Sequence, residues 1–415
     1  MGGLRRYSVN HSAFYREFHD GYAGAPLEEL PILTKDRLIA SFDKVVTDTR
    51  VTAQRVQAFA ENMTDRDLLD GRYHVVATSG TTGNRGFFLF TKQEWRVLAM
   101  ASVARGMRWS NSAAGPAKRG VVMASTIPWH MTARAAAELR RLGLSGGRLG
   151  IDAGAPIAAI VASLNEYQPK VMMVYPSVMQ ILAEEQLAGR LRISPAHIQC
   201  TSEVLTEDAR HAIEHAFRVS PANLYAASEC GCIAASCEAN EGLHFNEDLL
   251  IVESVDHRGR PVPDGEVGER TLITVLANRT LPLIRYELSD RIALTRTPCG
   301  CGKPYLRITE VVGRQGDVLR LPARNAGQVD VAPAQITACL RGTGVRQWQI
   351  SIGPQRIELR CLCPEEEFRP ADIVGRLSAL LEERGVAPIA ISAKRVDALE
   401  RGLTGKSRQI TTITR

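Results

Sequence analysis

Val75-Val76-Ala77-Thr78-Ser79-Gly80-Thr81-Thr82-Gly83-Asn84-Arg85-Gly86-Phe87-Phe88-Leu89-Phe90 is the stretch from which the rest of the chain is read. Its two ends are short apolar runs, which predict the paired strands of a hairpin. Its middle is built from hydroxyl and glycine residues. Glycines let a backbone turn its amides inward and hydroxyls add donors, so such a loop can wrap an anionic phosphate chain. No Gly-Lys-Ser/Thr ending follows, so this is not a Walker-type loop. A polar hairpin turn is the other reading that composition alone allows.

Upstream of the loop, the first seventy residues read as helical, with breaks at Pro26 and Pro31 and Thr34 as an N-cap. Downstream, a helix is expected over 93–107, then strands at 120–124, 171–175 and 198–200, with helices over 155–167, 176–187 and 206–217 between and after them. This alternation predicts a parallel sheet covered by helices. From Leu243 to Leu294 the texture turns β-rich, with turn sequences at Asp256-His257-Arg258-Gly259 and Pro263-Asp264-Gly265. A boundary is expected near Gly313-Arg314-Gln315-Gly316-Asp317. Beyond it we expect strands over 348–352 and 357–361, a helix over 370–383 and a last strand over 389–393. The expected fold class is α/β: a large N-terminal domain (1–316) with helix-covered sheets and a β-rich subdomain, then a small α+β domain (317–415).

Bulk properties agree with such a chain. Its 415 residues exceed the usual single-domain ceiling, and 45% are hydrophobic. The net charge of +6, from 51 basic and 45 acidic side chains, is mild and suits an anionic substrate such as a nucleotide. No run of five Lys or Arg points to nucleic acid. No apolar run of about eighteen residues occurs and Met1 to Tyr15 carries no signal-like core, so a cytoplasmic protein without a membrane partner is expected. Nine cysteines in such a chain suggest free thiols and a metal site over a disulfide framework.

The order Ser79-Gly80-Thr81-Thr82-Gly83 after a strand resembles the signature of the adenylate-forming superfamily of acyl-CoA synthetases, adenylation domains and luciferases. Other stretches follow in the matching order. Tyr225-Ala226-Ala227-Ser228-Glu229 resembles the Tyr-Gly-x-Thr/Ser-Glu motif. Pro282-Leu283-Ile284-Arg285-Tyr286-Glu287-Leu288-Ser289-Asp290 resembles the Pro-x-x-Arg-Tyr-x-x-x-Asp motif of the phenylacetate-CoA ligase branch. Gly313-Arg314-Gln315-Gly316-Asp317 resembles the Gly-Arg-x-x-Asp hinge, and Leu403-Thr404-Gly405-Lys406 the terminal Gly-Lys motif.

That resemblance implies an ATP-dependent ligase that turns a carboxylic acid into acyl-AMP and passes it to an acceptor nucleophile, CoA in the branch resembled. It implies that Thr78, Ser79, Gly80, Thr81, Thr82 and Gly83 hold phosphates, with Arg85 supplying charge where relatives carry Lys. Glu229 would bind Mg2+, which suits phosphate oxygens and a carboxylate. Asp290 would bind the ribose hydroxyls, Ser202 and Glu203 the adenine, and Tyr225 would stack near it beside Ser228. Arg314 would approach ribose or phosphate. Asp317 would be the hinge of a mobile small domain, and Lys406 would swing in to the α-phosphate. The relatives are often dimers, so a homodimer is a possible assembly.

Two further groups stand out. Pro128-Trp129-His130-Met131 resembles the pocket segment of relatives, so His130 would orient the acid, and Trp129, Met131, Met173 and Tyr175 would suit an aromatic one. Cys237-x6-His244 with Cys299-Gly300-Cys301-Gly302 offers four ligands for a structural zinc, with Cys230 and Cys232 as substitutes. The branch resembled often carries a similar set. Departures bear on the acceptor: Val318-Leu319-Arg320-Leu321-Pro322-Ala323-Arg324 lacks the branch's segment after the hinge, so an amide- or diazo-forming synthetase is an alternative. A nucleotide-binding protein without turnover is the third reading.

Overall fold

The stretch 75–90 folds as a hairpin. β1 (Tyr73–Ala77) pairs antiparallel with β2 (Phe87–Thr91), in a register running from Tyr73↔Thr91 to Ala77↔Phe87. Every residue of β1 is buried, which is why the run is apolar without alternation. The computed structural model describes residues 1–78, 85–110, 119–143, 148–314, 319–331, 333–353, 356–402, 406 and 409–412, without the side chains at 313, 314, 334 and 412. The loop's base is closed at both ends: Thr78 N donates to Gly86 O at 2.9 Å, and Gly86 N to Thr78 Oγ1 at 3.0 Å. After β2, Thr91 and Glu94 form a capping box. The helix that follows (Lys92–Trp95 and Ser102–Ser110) is interrupted by a π-helical stretch, Arg96–Ala101, which the residue pattern alone does not reveal.

The strands then run β3 (Gly120–Ala124), β4 (Leu149–Asp152), β5 (Val171–Val174), β6 (His197–Thr201), β7 (Ala222–Ala227), β8 (Gly231–Ser236), β9 (Leu243–Phe245), β10 (Leu250–Val255), β11 (Arg270–Val275), β12 (Tyr286–Leu288), β13 (Asp290–Thr295) and β14 (Arg307–Arg314). Nine of them form one sheet in the order β13-β14-β9-β8-β7-β6-β5-β3-β4. The part from β4 to β7 is parallel, as the alternation predicts, with helices Met131–Arg141, Ile157–Tyr167, Pro176–Leu187 and Glu207–Phe217 along its course. The sheet as a whole is mixed. Only Ser228, Glu229 and Cys230 separate β7 from β8, too few for a crossover, so β8 must return antiparallel. β10, β11 and β12 form a separate three-stranded sheet.

The N-terminal helices are fastened to this framework through one segment. Arg285 is 2% exposed, with a left-handed φ of 47°. Its guanidinium donates to the carbonyls of Glu28 (2.8 Å), Leu30 (2.6 Å) and Gly259 (2.7 Å) and pairs with Glu253 at 3.1 Å. Leu33 N donates to Arg285 O, and Glu287 N to Leu33 O, both at 3.0 Å. Nearby, the buried Tyr15 hydroxyl donates to Pro282 O at 2.9 Å and accepts from Ile284 N at 3.1 Å.

Met1–Val311 forms the larger compact unit, and Val312–Gly402 with Lys406–Arg415 a second. The boundary expected at 316/317 lies outside the described residues. In the second unit β15 (Leu319–Pro322) and β16 (Gln328–Val331) make a hairpin. β17 (Gln347–Ile352), β18 (Arg356–Leu362), β19 (Ala390–Arg395) and β20 (Ile410–Thr412) form a sheet in the order β19-β18-β17-β20, accompanied by helices Pro333–Cys339 and Pro370–Glu383. β19 is therefore not the last strand. β20 has three residues, too few for any periodicity to mark it, and it is recruited by parallel pairing to β17. No described helix is long and apolar enough to cross a membrane.

Two contributions of this packing to stability can be measured. Arg285→Leu leaves the Glu253 carboxylate buried without its cation, and the expected loss is about 3–5 kcal/mol, read as a lower urea midpoint. His74 on β1 is 3% exposed and stacks on Trp95 with ring centroids 4.6 Å apart. Its Nδ1 lies 3.2 Å from Arg134 Nη2, which donates to it. Burial first, then the Arg134 charge, lowers its pKa from 6.5 to about 3. The unfolded chain therefore takes a proton before the folded one does. His74 supports the fold above pH 6.5, and that support is lost as pH falls toward 3. Urea melts at pH 7 and pH 5 should show a smaller acid loss in His74→Gln than in the wild type, by on the order of 1–2 kcal/mol.

Candidate functional site

The parallel strands β3, β5, β6 and β7 all end at one edge of the sheet, where open α/β sheets bind ligands. The residues just beyond those ends are Ser125, Tyr175, Ser202 with Glu203, and Ser228 with Glu229. They are cross-linked. Ser125 N donates to the Tyr175 hydroxyl at 3.0 Å, and Ser177 N donates to Glu203 Oε2 at 3.0 Å, fixing that carboxylate at the start of helix Pro176–Leu187. Thr126 Oγ1 donates to Asp152 Oδ2 at 3.1 Å. Burial, with Glu203 and Asp152 nearby, raises the Tyr175 phenol so that it stays protonated. Ser202 takes a φ of 71°, the turn that lets Glu203 double back. Glu203 thus anchors a helix, a tie its position in the sequence does not announce.

The loop's base meets the 128–131 segment. Ala77 N donates to Trp129 O at 3.1 Å. His130, 7% exposed, occupies the N-cap position of helix Met131–Arg141 and its amide donates to Ile127 O at 2.9 Å. Arg85, expected at the phosphates, lies with its guanidinium 4.5 Å over the Trp129 ring. Cation–π stacking of this kind holds a guanidinium without neutralising it. Ser79, Gly80, Thr81, Thr82 and Gly83 lie outside the described residues, as does Asp317, and of Arg314 only the backbone at the end of β14 is described.

Two residues of different motifs meet directly. The Tyr225 hydroxyl on β7 donates to Asp290 Oδ2, at the start of β13, at 2.8 Å. Glu229 is half-buried in the turn that follows β7, with Ser228 half-buried beside it. Burial and then the Glu229 charge hold the Tyr286 phenol well above its usual pKa. A carboxylate in such a turn is a hard oxygen donor and fits a magnesium ion. Lys406 belongs to the second unit, half-buried, with its carbonyl accepting from Gly402 N at 3.0 Å.

A second cluster lies where β8, β9 and the turn between β13 and β14 come together. The ligand atoms of Cys237, His244, Cys299 and Cys301 all lie within 4.8 Å of one another. Cys237 Sγ is 3.6 Å from Cys299 Sγ, and Cys301 Sγ is 3.3 Å from His244 Nε2. Ligands on a tetrahedral zinc at about 2.0–2.3 Å sit roughly 3.3–3.8 Å apart, so the donor set and spacing fit that ion. Burial pushes the Cys299 thiol up to about 12. The Cys301 thiol is held below its ordinary value, burial being outweighed by the Lys303 amide and the neighbouring thiols. Trp109 and Tyr305 flank the His244 ring at 6.1 and 6.4 Å, and Lys303 pairs with Glu238 at 3.2 Å beside the thiols. Those four surrounding residues carry no spacing that marks them in the sequence. Cys230 and Cys232, considered as substitutes, are not in the cluster; Cys232 Sγ instead bonds Ala234 O at 3.7 Å.

Comparison with known proteins gives the family and the fold. The profile of the family described as AMP-binding enzyme matches residues 28–273. Phenylacetate-coenzyme A ligase of Thermus thermophilus is 31% identical over 281 residues, 64% of this chain and 59% of that protein. The enzyme of the same name from Pseudomonas putida is 30% identical over 276 residues, 63% of this chain and 57% of that protein. The chain thus matches less than two thirds of the length of these relatives. Among solved structures, 2-hydroxyisobutyryl-CoA ligase in the postadenylation state with R3-HIB-AMP superposes with a TM-score of 0.73 at 19% identity, over 99% of this chain and 88% of that one. At that identity the likeness is one of fold.

Proposed function

From a chain that belongs to the AMP-binding enzyme family, we propose an ATP-dependent, AMP-forming ligase that activates a small carboxylic acid as acyl-AMP and transfers the acyl group to CoA. The observation that carries this reading is the meeting of Tyr225 and Asp290 beside the Glu229 turn, at the carboxyl ends of the parallel strands. The names of the relatives supply CoA as the acceptor.

The chemical difficulty is that a carboxylate must attack the α-phosphate of ATP, which brings two anions together. The protein has to neutralise charge and fix an in-line approach. Thr78 to Gly83 would donate backbone and hydroxyl hydrogens to the β- and γ-phosphates, on a base that Thr78 and Gly86 hold shut. The second Asp290 oxygen would accept from the ribose hydroxyls while the first accepts from Tyr225. Tyr225 would cover the adenine, with Ser202, Glu203 and Ser228 around it. Glu229 would hold Mg2+, which neutralises phosphate charge when bound. His130 would orient the acid's carboxylate, and the aromatic surfaces of Trp129 and Tyr175 favour a flat acid. Lys406, with Arg314 and the Asp317 hinge, would bring a mobile cation to the α-phosphate at the step that creates charge there.

The test is acid-dependent exchange of pyrophosphate into ATP over a panel of aryl and short acyl acids, followed by product analysis with CoA. Exchange with an aryl acid, reduced at least about a hundredfold in Asp290→Ala and Lys406→Ala as expected when a charge-stabilising contact is lost, supports the reading. Absence of exchange with every acid, in protein that binds ATP, defeats it. Amide formation in place of a thioester would favour an amine acceptor.

We also propose that Cys237, His244, Cys299 and Cys301 close a structural zinc site, for which the reducing cytoplasm is the fitting compartment. Elemental analysis should find about one zinc per chain, lost in the Cys299→Ser, Cys301→Ser double variant together with several degrees of thermal midpoint. Purified protein without zinc ends this assignment.

A further inference from the structure

The π-helical stretch Arg96–Ala101 exposes a backbone carbonyl that an α-helix would have used. In α geometry the Ser102 amide would bond the carbonyl of Leu98, four residues back; here it bonds Val97 O, five back. The Leu98 carbonyl is thereby released, and the Ser102 hydroxyl donates to it. The same hydroxyl accepts from Cys232 N at 3.3 Å, so one fully buried side chain links the π turn to β8.

Gly231 comes up against the same carbonyl. Its φ is +80°, and a Cβ at this position would sit 1.9 Å from Leu98 O and 3.3 Å from Ala99 Cα. No other residue can occupy that place without displacing backbone. One turn on, a Cβ at Gly106 would meet Ala235 Cβ at 2.8 Å, so the helix lies close along β8. Asn246 Nδ2 donates to Cys232 O at 3.0 Å and is itself held by Arg105 Nη1 at 3.1 Å. The start of β8 is therefore clamped from the helix side at Gly231 and Cys232.

Glu229 stands two residues before that clamp. Its turn leaves β7 just after Tyr225, which Asp290 fixes, and enters β8 at Gly231, which the π turn fixes. Between them Cys230 is fully buried and its amide donates to Ala227 O at 3.3 Å. We propose that the π turn, through the Ser102 hydroxyl and the Leu98–Gly231 contact, sets the position of the Glu229 carboxylate, making Ser102 a positioning residue for the nucleotide-bound divalent ion. This rests on the assignment of Glu229 to that ion under the proposed function. Ser102 touches neither nucleotide nor acid; it acts through the turn.

The experiment uses the full-length protein saturated with a non-hydrolysable ATP analogue and measures Mn2+ affinity by electron paramagnetic resonance. Wild type is compared with Ser102→Ala, Ser102→Thr, Gly231→Ala and Glu229→Gln, each with its thermal midpoint. Two lost hydrogen bonds at about 1 kcal/mol each predict Mn2+ binding weaker by roughly five- to thirtyfold in Ser102→Ala, with the KM for the acid unchanged and affinity regained in Ser102→Thr. If Gly231→Ala does not fold, the serine pair still decides. Unchanged Mn2+ affinity in Ser102→Ala, while Glu229→Gln loses it, overturns the inference and leaves the functional reading standing. Unchanged affinity in Glu229→Gln removes the functional reading and the inference together.

Discussion

The buried guanidinium of Arg285 is the constraint around which the larger unit is arranged. It gathers carbonyls from the N-terminal segment (Glu28, Leu30) and from the β10–β11 turn (Gly259), and it neutralises Glu253. Satisfying a guanidinium on several sides in a dry interior requires every partner to be in place at once. The backbone bends to allow it, since a left-handed φ of 47° at an arginine is unfavourable by about 1–3 kcal/mol unless the surroundings impose it. The residues just after Arg285 in the chain inherit that precision. Asp290, five residues on, reaches Tyr225. A motif that reads as nucleotide chemistry is, at its arginine, the fastening of the scaffold that carries the chemistry.

Much of the architecture is legible in the residues, for physical reasons that differ from element to element. Helices Pro176–Leu187 and Pro370–Glu383 begin at the residue expected because proline suits the first helical position and is excluded from the next turns. Thr34 announces its helix by capping it, whereas Thr206, expected as the first helical residue, is the cap of helix Glu207–Phe217. The antiparallel half of the large sheet is harder to see. β8 is buried on both faces, so it offers no alternation, and β9 has three residues. The π turn is invisible because the residue it packs against, Gly231, lies far along the chain from Leu98.

The site divides in the same way. The order of motifs groups Tyr225, Glu229 and Asp290, and of these the Tyr225 hydroxyl meets Asp290 directly. Spacing says nothing about where a long side chain will turn, so the stacking of Arg85 on Trp129 and the use of Glu203 as a helix anchor were out of its reach. The Cys and His cluster was legible because Cys-Gly-Cys-Gly is a turn that can present two thiols to one point. Its partners are Cys237, just past the end of β8, and His244 on the short strand β9. A zinc held there, as proposed, would also tie the end of β8 and β9 to the β13–β14 turn, where the ladder between β9 and β14 is short.

The helix from Lys92 to Ser110 carries a phase as well as a length. Each residue of an α-helix advances its direction by about 100°, so the wide turn at Arg96–Ala101 determines which way every later side chain points. Ser102, Gly106 and Ser110 recur at four-residue intervals on the face that meets β8 and Gln199. A chain shortened by a single residue within that turn could still be helical, apolar in the same proportions and equally long. Six residues of the wide turn advance about as far around the axis as five of an α-helix, so Ser102, Gly106 and Ser110 would still face the sheet, and only the wide turn beside Gly231 would be gone. Descendants of this sequence can therefore lose one residue within this turn and keep the helix's face to β8, whereas a loss elsewhere in the helix would rotate everything beyond it by about 100°.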